Sequence, residues 1–190
     1  MKNIVIFGAP GSGKGTQSDK IIAEFGVEHI STGDVLRAEI KAGTELGKTA
    51  SAYINEGKLV PDSLIVDMLA STLDSKGKDI KGVIFDGFPR TIAQAEALDA
   101  MLKERGQEVN VVIGLEVDDA ELIKRIIARG KTSGRADDNE ETAKKRLDTY
   151  YSQTLPLKDF YIAQGKYAQI QGVGTIDGIY AEISKAISNS

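Results

Sequence analysis

The sequence predicts an α/β protein whose five strands form a parallel sheet covered by helices on both faces. Short apolar runs alternate along the chain with amphipathic segments of helical length. Several of these runs, such as Ile4–Phe7 and Val83–Phe85, are continuously apolar, as is typical of parallel sheets buried on both faces. A length of 190 residues and a hydrophobic content of 41% fit a single domain, 1–190, with a sizeable core.

Helices separate the predicted strands along the whole chain. The strands are Lys2–Phe7, Glu28–Ser31, Gly82–Phe85, Val109–Val117 and Tyr167–Gln171. The helices are Thr16–Phe25, Thr32–Ala42, Glu45–Glu56, residues 62–75, Thr91–Glu104, Asp118–Arg129, Asn139–Gln164 and Thr175–Ser188. We expect the long helix to bend near Pro156. Residues 31–60 and 130–134 do not fit the alternation, and such excursions from a core often carry function.

Composition excludes several classes of protein. The chain has no cysteine, so it has no disulfide frame, thiolate zinc site or thiol nucleophile. A net charge of −4 argues against a diffuse nucleic-acid binder, which is usually basic. No apolar run approaches the roughly 18 residues of a membrane span, and no signal peptide is evident. We therefore expect a cytoplasmic protein with no membrane or nucleic-acid partner.

A phosphate-binding loop follows the first predicted strand. The glycine-rich sequence Gly8–Thr16 lies between the apolar run Ile4–Phe7 and a helix. Glycines let the backbone approach a polyphosphate, the helix N-terminus aims N–H groups at it, and Lys14 adds a positive charge. This context, together with the spacing, predicts a nucleotide ligand.

A second element of a phosphate site is Asp86, at the end of the apolar run Val83–Phe85. An acid in this place can reach a metal–phosphate cluster. The residue after Lys14 is Gly15, and the hydroxyl comes one position later, at Thr16. We therefore expect Mg²⁺ to be held mainly by substrate phosphates and waters, with Asp86 in the outer shell.

Three motifs together resemble the adenylate kinase family over essentially the whole chain. They are Gly8–Gln17, Ser31–Asp34 and Asp86–Arg90, in the family's order and spacing. The resemblance implies a three-layer P-loop NTPase fold with a helical nucleoside-monophosphate-binding excursion at about 31–60 and a short lid at about 129–138. It implies the reaction ATP + AMP ⇌ 2 ADP with Mg²⁺, and a monomer.

The resemblance also implies the residues of the acceptor site. Thr32 approaches the adenine of AMP, Arg37 binds its phosphate, and Gln94 can both donate to and accept from the adenine edge. Ser31 or Thr32 is also expected to cap a helix. The full set implied to bind AMP is Thr32, Arg37, Lys58, Leu59, Val60, Gly87, Phe88, Pro89, Arg90, Gln94, Arg135 and Arg146.

The ATP site and the catalytic groups are implied in the same way. Arg125 and Arg129 share one helix face by their i,i+4 spacing, and the resemblance places them at the adenine and the phosphates of ATP. The implied ATP-binding set is Gly11, Ser12, Gly13, Lys14, Gly15, Thr16, Arg125, Arg129 and Gly174. The implied catalytic set is Lys14, Arg90, Arg129, Arg135 and Arg146. Phosphoryl transfer needs such cations because it depends on positioning and charge stabilisation.

Two further expectations concern the lid and the histidine. Only five residues separate Arg129 from Arg135, so the resemblance is to the short-lid form, without structural zinc. Both excursions are expected to close over the substrates and expel water. We interpret His29 as structural, since phosphoryl transfer between nucleotides needs no histidine base.

Two alternative functions stay open at this point. A UMP/CMP kinase would have the same fold, but relatives of that kind usually carry alanine in place of Thr32 and asparagine in place of Gln94. A GTP-binding switch would need an Asn-Lys-x-Asp motif to recognise the base, which the chain lacks. It would also need a glutamine to orient water after the strand acid, where the chain has Gly87–Arg90.

Overall fold

The structure is a computed structural model, and it describes residues 1–55, 60–133 and 139–190. Its five parallel strands have the order β2-β3-β1-β4-β5. They are β1 (Lys2–Gly8), β2 (Glu28–Ser31), β3 (Gly82–Asp86), β4 (Val111–Glu116) and β5 (Tyr167–Gln171). The predicted fold class is confirmed, with β1 in the centre.

Helices cover both faces of the sheet, as the continuous apolar strands predict. The helices among the described residues are α1 (Lys14–Phe25), α2 (Thr32–Ala42), α3 (Glu45–Asn55), α4 (Asp62–Ser75), α5 (Ile92–Glu104), α6 (Asp119–Ser133), α7 (Glu140–Thr149), α8 (Leu157–Ala163) and α9 (Ile176–Ser188). Alternate residues of β1 enter opposite cores. Val5 packs with α4, α5 and α8, whereas Ile4 packs with α1 and α9.

The sheet register brings the ends of three strands to one edge. Asp86 at the end of β3 is level with Ile6 of β1 and Ser31 of β2, and Gly8 at the end of β1 is level with Leu115 of β4. Helices α6 and α7 lie beside this edge, where Ala9, Leu122 and Leu147 form a separate small core. Ligands of parallel α/β sheets bind at such an edge.

The prediction of a single long helix from Asn139 to Gln164 is wrong. This segment divides into α7, a π-helical turn at Tyr150–Thr154 and α8. Pro156 has no N–H, and its ring opposes the carbonyl four residues earlier, so the preceding turn widens. The N–H of Leu155 accordingly donates to Tyr150 O, five residues back, at 2.8 Å. The departure from α-helical hydrogen bonding therefore begins at Tyr150, before the proline.

The end of α6 also differs from the sequence-based prediction. Helix α6 continues past Arg129 to Ser133, through part of the polar stretch that was expected to leave the core. The hydroxyl of Thr132 donates to Arg129 O at 3.2 Å, which supports this last turn.

Within the described ranges, no helix is both long and apolar enough to cross a lipid bilayer.

Candidate functional site

The phosphate-binding loop lies between β1 and α1 and packs directly on α6. Gly11 has a φ of +84°, and a Cβ there would lie 3.0 Å from both Leu122 O and Ile126 Cγ1. Only glycine accepts both the left-handed backbone and this close approach. Ser12 is buried, and its Oγ has no hydrogen-bond partner within the described part of the chain. The loop is thus closely packed on α6 and has a buried hydroxyl without a protein partner among the described residues.

Lys14 lies over this loop, surrounded by other charged groups. Its Nζ donates to Gly8 O at 2.8 Å and to Ala9 O at 3.1 Å. Burial lowers the pKa of Lys14 to about 8; Asp86 raises this pKa, while Arg90, Arg146 and Arg129 lower it. The mutual repulsion of these cations is the mark of a site built for an anion.

A cavity of about 310 Å³ brings these groups together. It is lined by Ile6, Phe7, Gly8, Pro10, Lys14, Gly87, Pro89, Arg90, Lys145, Arg146, Thr149, Tyr150 and Thr154. Three of the predicted catalytic cations, Lys14, Arg90 and Arg146, therefore face one space. Arg129 is close enough to act on Lys14.

The turn after β3 holds Arg90 in place. Gly87 has a φ of +79°, and its carbonyl accepts from Arg90 Nε at 2.8 Å and from the Thr32 hydroxyl at 3.3 Å. The Phe88–Pro89 peptide bond in this turn is cis. Ser31 takes the N-cap position of α2, as predicted, but its side chain makes no capping hydrogen bond. The hydroxyl of Thr32 instead connects α2 to the turn.

A second, larger cavity of about 690 Å³ adjoins the first. The two share Gly87, Arg90, Thr149 and Thr154. The other residues that line the second cavity are Thr32, Gly33, Val35, Leu36, Val60, Asp62, Ile65, Met68, Leu69, Phe88, Thr91, Gln94 and Gln153. Its walls are mainly apolar with a few polar groups, and its volume is that of a small-molecule site.

A third cavity, of about 300 Å³, lies on the other side of the phosphate-binding loop. It is lined by Gly11, Ser12, Gly13, Thr16, Gln17, Arg125, Gly172, Gly174, Ile176 and Ile179. Arg125 connects its two walls, since Nη2 donates to Gly172 O at 2.9 Å while Nε pairs with Glu121 at 3.0 Å. The cationic cavity thus shares lining residues with the larger cavity, and the phosphate-binding loop contributes to the walls of both the cationic and the third cavity.

Several predicted site residues are not brought into these cavities. The guanidinium of Arg37 is exposed and pairs with Asp34 one turn away, and Gly15 is exposed at the start of α1. Lys58, Leu59 and Arg135 lie outside the described residues. The same is true of residues 134–138 of the predicted lid.

Two contacts of the site were missed by sequence reasoning. Nε2 of His29 lies 3.2 Å from Asp86 Oδ2, although no partner was predicted for this histidine. Nε2 of Gln94 donates to Asp62 Oδ1 at 2.8 Å, although Asp62 was predicted only as the start of a helix. Both contacts join elements far apart in the chain, so only the order of the strands and the packing of α4 on α5 could have indicated them.

The donor groups near the loop suit Mg²⁺ better than a metal held by protein alone. Among the described residues, no group of three His, Cys, Asp or Glu side chains could hold a metal ion. Asp86 is a half-buried carboxylate that lies near Lys14. Mg²⁺ in phosphate sites keeps several waters and takes its other ligands from substrate phosphates, so one carboxylate fits it.

Comparison with known proteins identifies the family. A family model described as adenylate kinase matches residues 6–166. A protein of Phocaeicola vulgatus named adenylate kinase is 68% identical over 187 residues, covering 98% of both chains. One of Parabacteroides distasonis with the same name is 64% identical, covering 100% of this chain and 99% of its own. One from Maricaulis maris is 47% identical over 185 residues, covering 97% of this chain and 98% of its own. The resemblance seen in the sequence is confirmed, and the chain belongs to the adenylate kinase family.

Proposed function

We propose that this chain catalyses the reversible transfer of a phosphoryl group from ATP to AMP, giving two ADP. Membership of the adenylate kinase family carries the reaction, and it does not favour the UMP/CMP kinase alternative. The observation that carries the assignment of roles is that the cationic cavity shares lining residues with the larger cavity and is bordered by the phosphate-binding loop. Lys14, Arg90 and Arg146 face the space that joins the larger cavity to the phosphate-binding loop.

The donor nucleotide is assigned to the loop side of the sheet edge. The phosphates of ATP would lie against Gly11–Thr16 and Lys14, since α1 begins there and its free N–H groups favour anions. The adenine would occupy the third cavity between Arg125 and Gly174. Arg129, on the same face of α6 as Arg125, would bind the phosphates.

The acceptor nucleotide is assigned to the second cavity, of about 690 Å³. The apolar walls around Val35, Ile65 and Phe88 suit a flat base. Thr32 and Gln94 would meet the edge of that base, and Arg90 would grip the phosphate at the boundary with the cationic cavity. A guanidinium suits this place because it can bind two phosphate oxygens at once.

Catalysis would then depend on positioning and on charge. The two nucleotides would meet end to end at Lys14, Arg90, Arg129 and Arg146, which stabilise the negative charge spread over the transferring group. Arg135 is assigned to the same task, from outside the described residues. Mg²⁺ carried by the phosphates of ATP, with Asp86 in its outer shell, would neutralise further charge.

The helical block at about 31–60 and the lid at about 129–138 are proposed to close over the bound nucleotides. Closure would expel water and prevent wasteful hydrolysis of ATP. Small-angle X-ray scattering with and without a bisubstrate inhibitor tests this. An equal radius of gyration in both states would contradict it.

Acceptor profiling tests the proposed function. ADP formation from ATP is measured with AMP, CMP, UMP or GMP, and AMP should give the highest kcat/KM. Lys14→Met should lower kcat by at least about 100-fold, whereas Lys20→Met, on the same helix and paired with Asp177 at 2.7 Å, should retain wild-type rates. Preference for CMP or UMP, or ADP formation without an acceptor, would contradict the proposal. The monomeric state, the cytoplasmic location and the absence of nucleic-acid or membrane partners stay predictions from sequence.

A further inference from the structure

Gln94 in the acceptor cavity is held by two partners that require opposite hydrogen-bonding groups. The backbone N–H of Arg90 donates to its Oε1 at 2.8 Å. Its Nε2 donates to Asp62 Oδ1, also at 2.8 Å. Gln94 is only 8% exposed, so its amide has few alternative partners in solvent. The contacts define which end of the amide carries oxygen.

These contacts also define what the amide can offer to a ligand. A side-chain amide has two N–H donors and two acceptor lone pairs. Asp62 uses one donor and Arg90 uses one lone pair, so one donor and one acceptor remain. A base that matches this pair needs an unprotonated ring nitrogen beside an exocyclic amine, as in the 6-aminopurine edge. A 6-oxopurine has the reverse pattern, a protonated ring nitrogen beside a carbonyl.

Rotation of the amide by 180° would reverse this preference. The rotated amide would place N–H groups against the Arg90 N–H and an oxygen against the Asp62 carboxylate. An ionised carboxylate only accepts hydrogen bonds, so both contacts would become repulsive. The Arg90 N–H and the acceptor-only carboxylate of Asp62 therefore both oppose the rotated amide, and the carboxylate is the one of these two partners that a side-chain substitution can change.

We propose that Asp62 is a positioning residue for base selection, which holds the Gln94 amide in the orientation that accepts a 6-aminopurine nucleotide and rejects a 6-oxopurine nucleotide. This inference rests on the proposed function, because it concerns the acceptor of that reaction. Asp62 acts through Gln94, and both residues line the acceptor cavity. The first residue of α4 thereby controls a side chain of α5.

To test this role of Asp62, its carboxylate is replaced by a group that can donate a hydrogen bond as well as accept one. Asp62→Asn keeps the shape of the side chain, but its amide can turn to donate to a rotated Gln94. The ratio of kcat/KM for AMP to that for IMP, with ATP as donor, should fall about tenfold, since the rotated Gln94 amide would then be opposed by the Arg90 N–H alone. The change should lie in KM for the acceptor, with KM for ATP unchanged. Asp62→Ser, whose hydroxyl donates and accepts, should act in the same direction.

Two controls separate positioning from a general effect. Asp67→Asn removes the same charge from an exposed place on the same helix, and its AMP/IMP ratio should equal that of the wild type. In a Gln94→Leu background, Asp62→Asn should leave the ratio unchanged, because there is no amide to orient. An unchanged ratio in both Asp62 variants, or an equal change in the Gln94→Leu background, would overturn the inference. A wild-type protein that does not phosphorylate AMP would instead overturn the proposed function.

Discussion

His29 and Asp86 lie on adjacent strands and meet at the edge of the sheet that holds the phosphate-binding loop. Nε2 of His29 is 3.2 Å from Asp86 Oδ2, and both side chains are partly buried. A carboxylate only accepts, so the imidazole donates. This hydrogen bond raises the pKa of His29. Burial of the imidazole lowers this pKa, whereas the negative charges of Asp86, Asp34 and Asp19 raise it further.

The first prediction is that this pair makes stability depend on pH. A group whose pKa is higher in the folded state stabilises the fold fully below its unfolded pKa, about 6.5 for histidine, and this contribution is lost as the pH rises through the folded pKa. His29→Gln keeps an N–H donor but does not titrate. The variant should be less stable than the wild type by about 1 kcal/mol or less at pH 5, given the partial exposure. Urea unfolding should show this difference vanish toward pH 9; a difference that is equal at all pH values would contradict the prediction.

The second prediction concerns Lys14, whose pKa burial lowers to about 8 in the free protein. A bound polyphosphate favours the ammonium form. At pH 8 about half of the free protein has a neutral Lys14, so ATP binding should take up about 0.5 proton at this residue. Calorimetry in two buffers of different ionisation enthalpy measures the uptake. Arginine stays charged, so Lys14→Arg should take up about 0.5 proton less, and equal uptake by both proteins would count against this pKa.

The strands and most helices could be predicted because local sequence determines them. Runs such as Ile4–Phe7 are apolar throughout, and Thr91 and Thr175 are good caps, whose hydroxyls accept from Gln94 N and Gly178 N. The continuation of α6 to Ser133 was not predictable from the polar, glycine-containing sequence there. The hydroxyl of Thr132, which donates to Arg129 O, supports this last turn.

The candidate site was predictable only where local sequence determines it. Motif spacing indicated the loop, Asp86 and Arg90, because each is a short segment with its own chemistry. The partners His29 and Asp62 depend on which strands and helices are neighbours. A lone histidine in Glu28–Ser31 has no visible partner until β2 is known to lie beside β3.

The third prediction compares two arginines in different surroundings. Arg90 is exposed at the junction of two cavities, so Arg90→Ala should lower kcat by about 10³-fold or more, with the free energy of unfolding changed by under about 1 kcal/mol. Arg90→Lys should rescue little, because an ammonium cannot grip two oxygens in one plane.

Arg105 is the matched control for this comparison. Its Nε and Nη2 each donate to the Asp74 carboxylate at 2.8 Å, at the end of α5. Arg105→Ala should lower the free energy of unfolding by about 1 kcal/mol and leave turnover normal. Steady-state kinetics and urea unfolding of both variants would measure this, and a large loss of stability in Arg90→Ala with near-normal turnover would refute the assigned role.

The fourth prediction concerns a close approach between two strands beside the site. Gly114 is in the middle of β4, and a Cβ there would overlap the phenol ring of Tyr167 on β5. That ring also packs edge-on against Phe7 of β1, with ring centroids 6.1 Å apart. It therefore has little room to move, and Gly114→Ala should lower the free energy of unfolding by at least about 2 kcal/mol. Tyr167→Val removes the ring and keeps a good strand former, so Gly114→Ala should cost under about 1 kcal/mol in that background. Denaturant unfolding of the four proteins gives this coupling. Equal costs in both backgrounds would mean that the ring is not what excludes a side chain at this position.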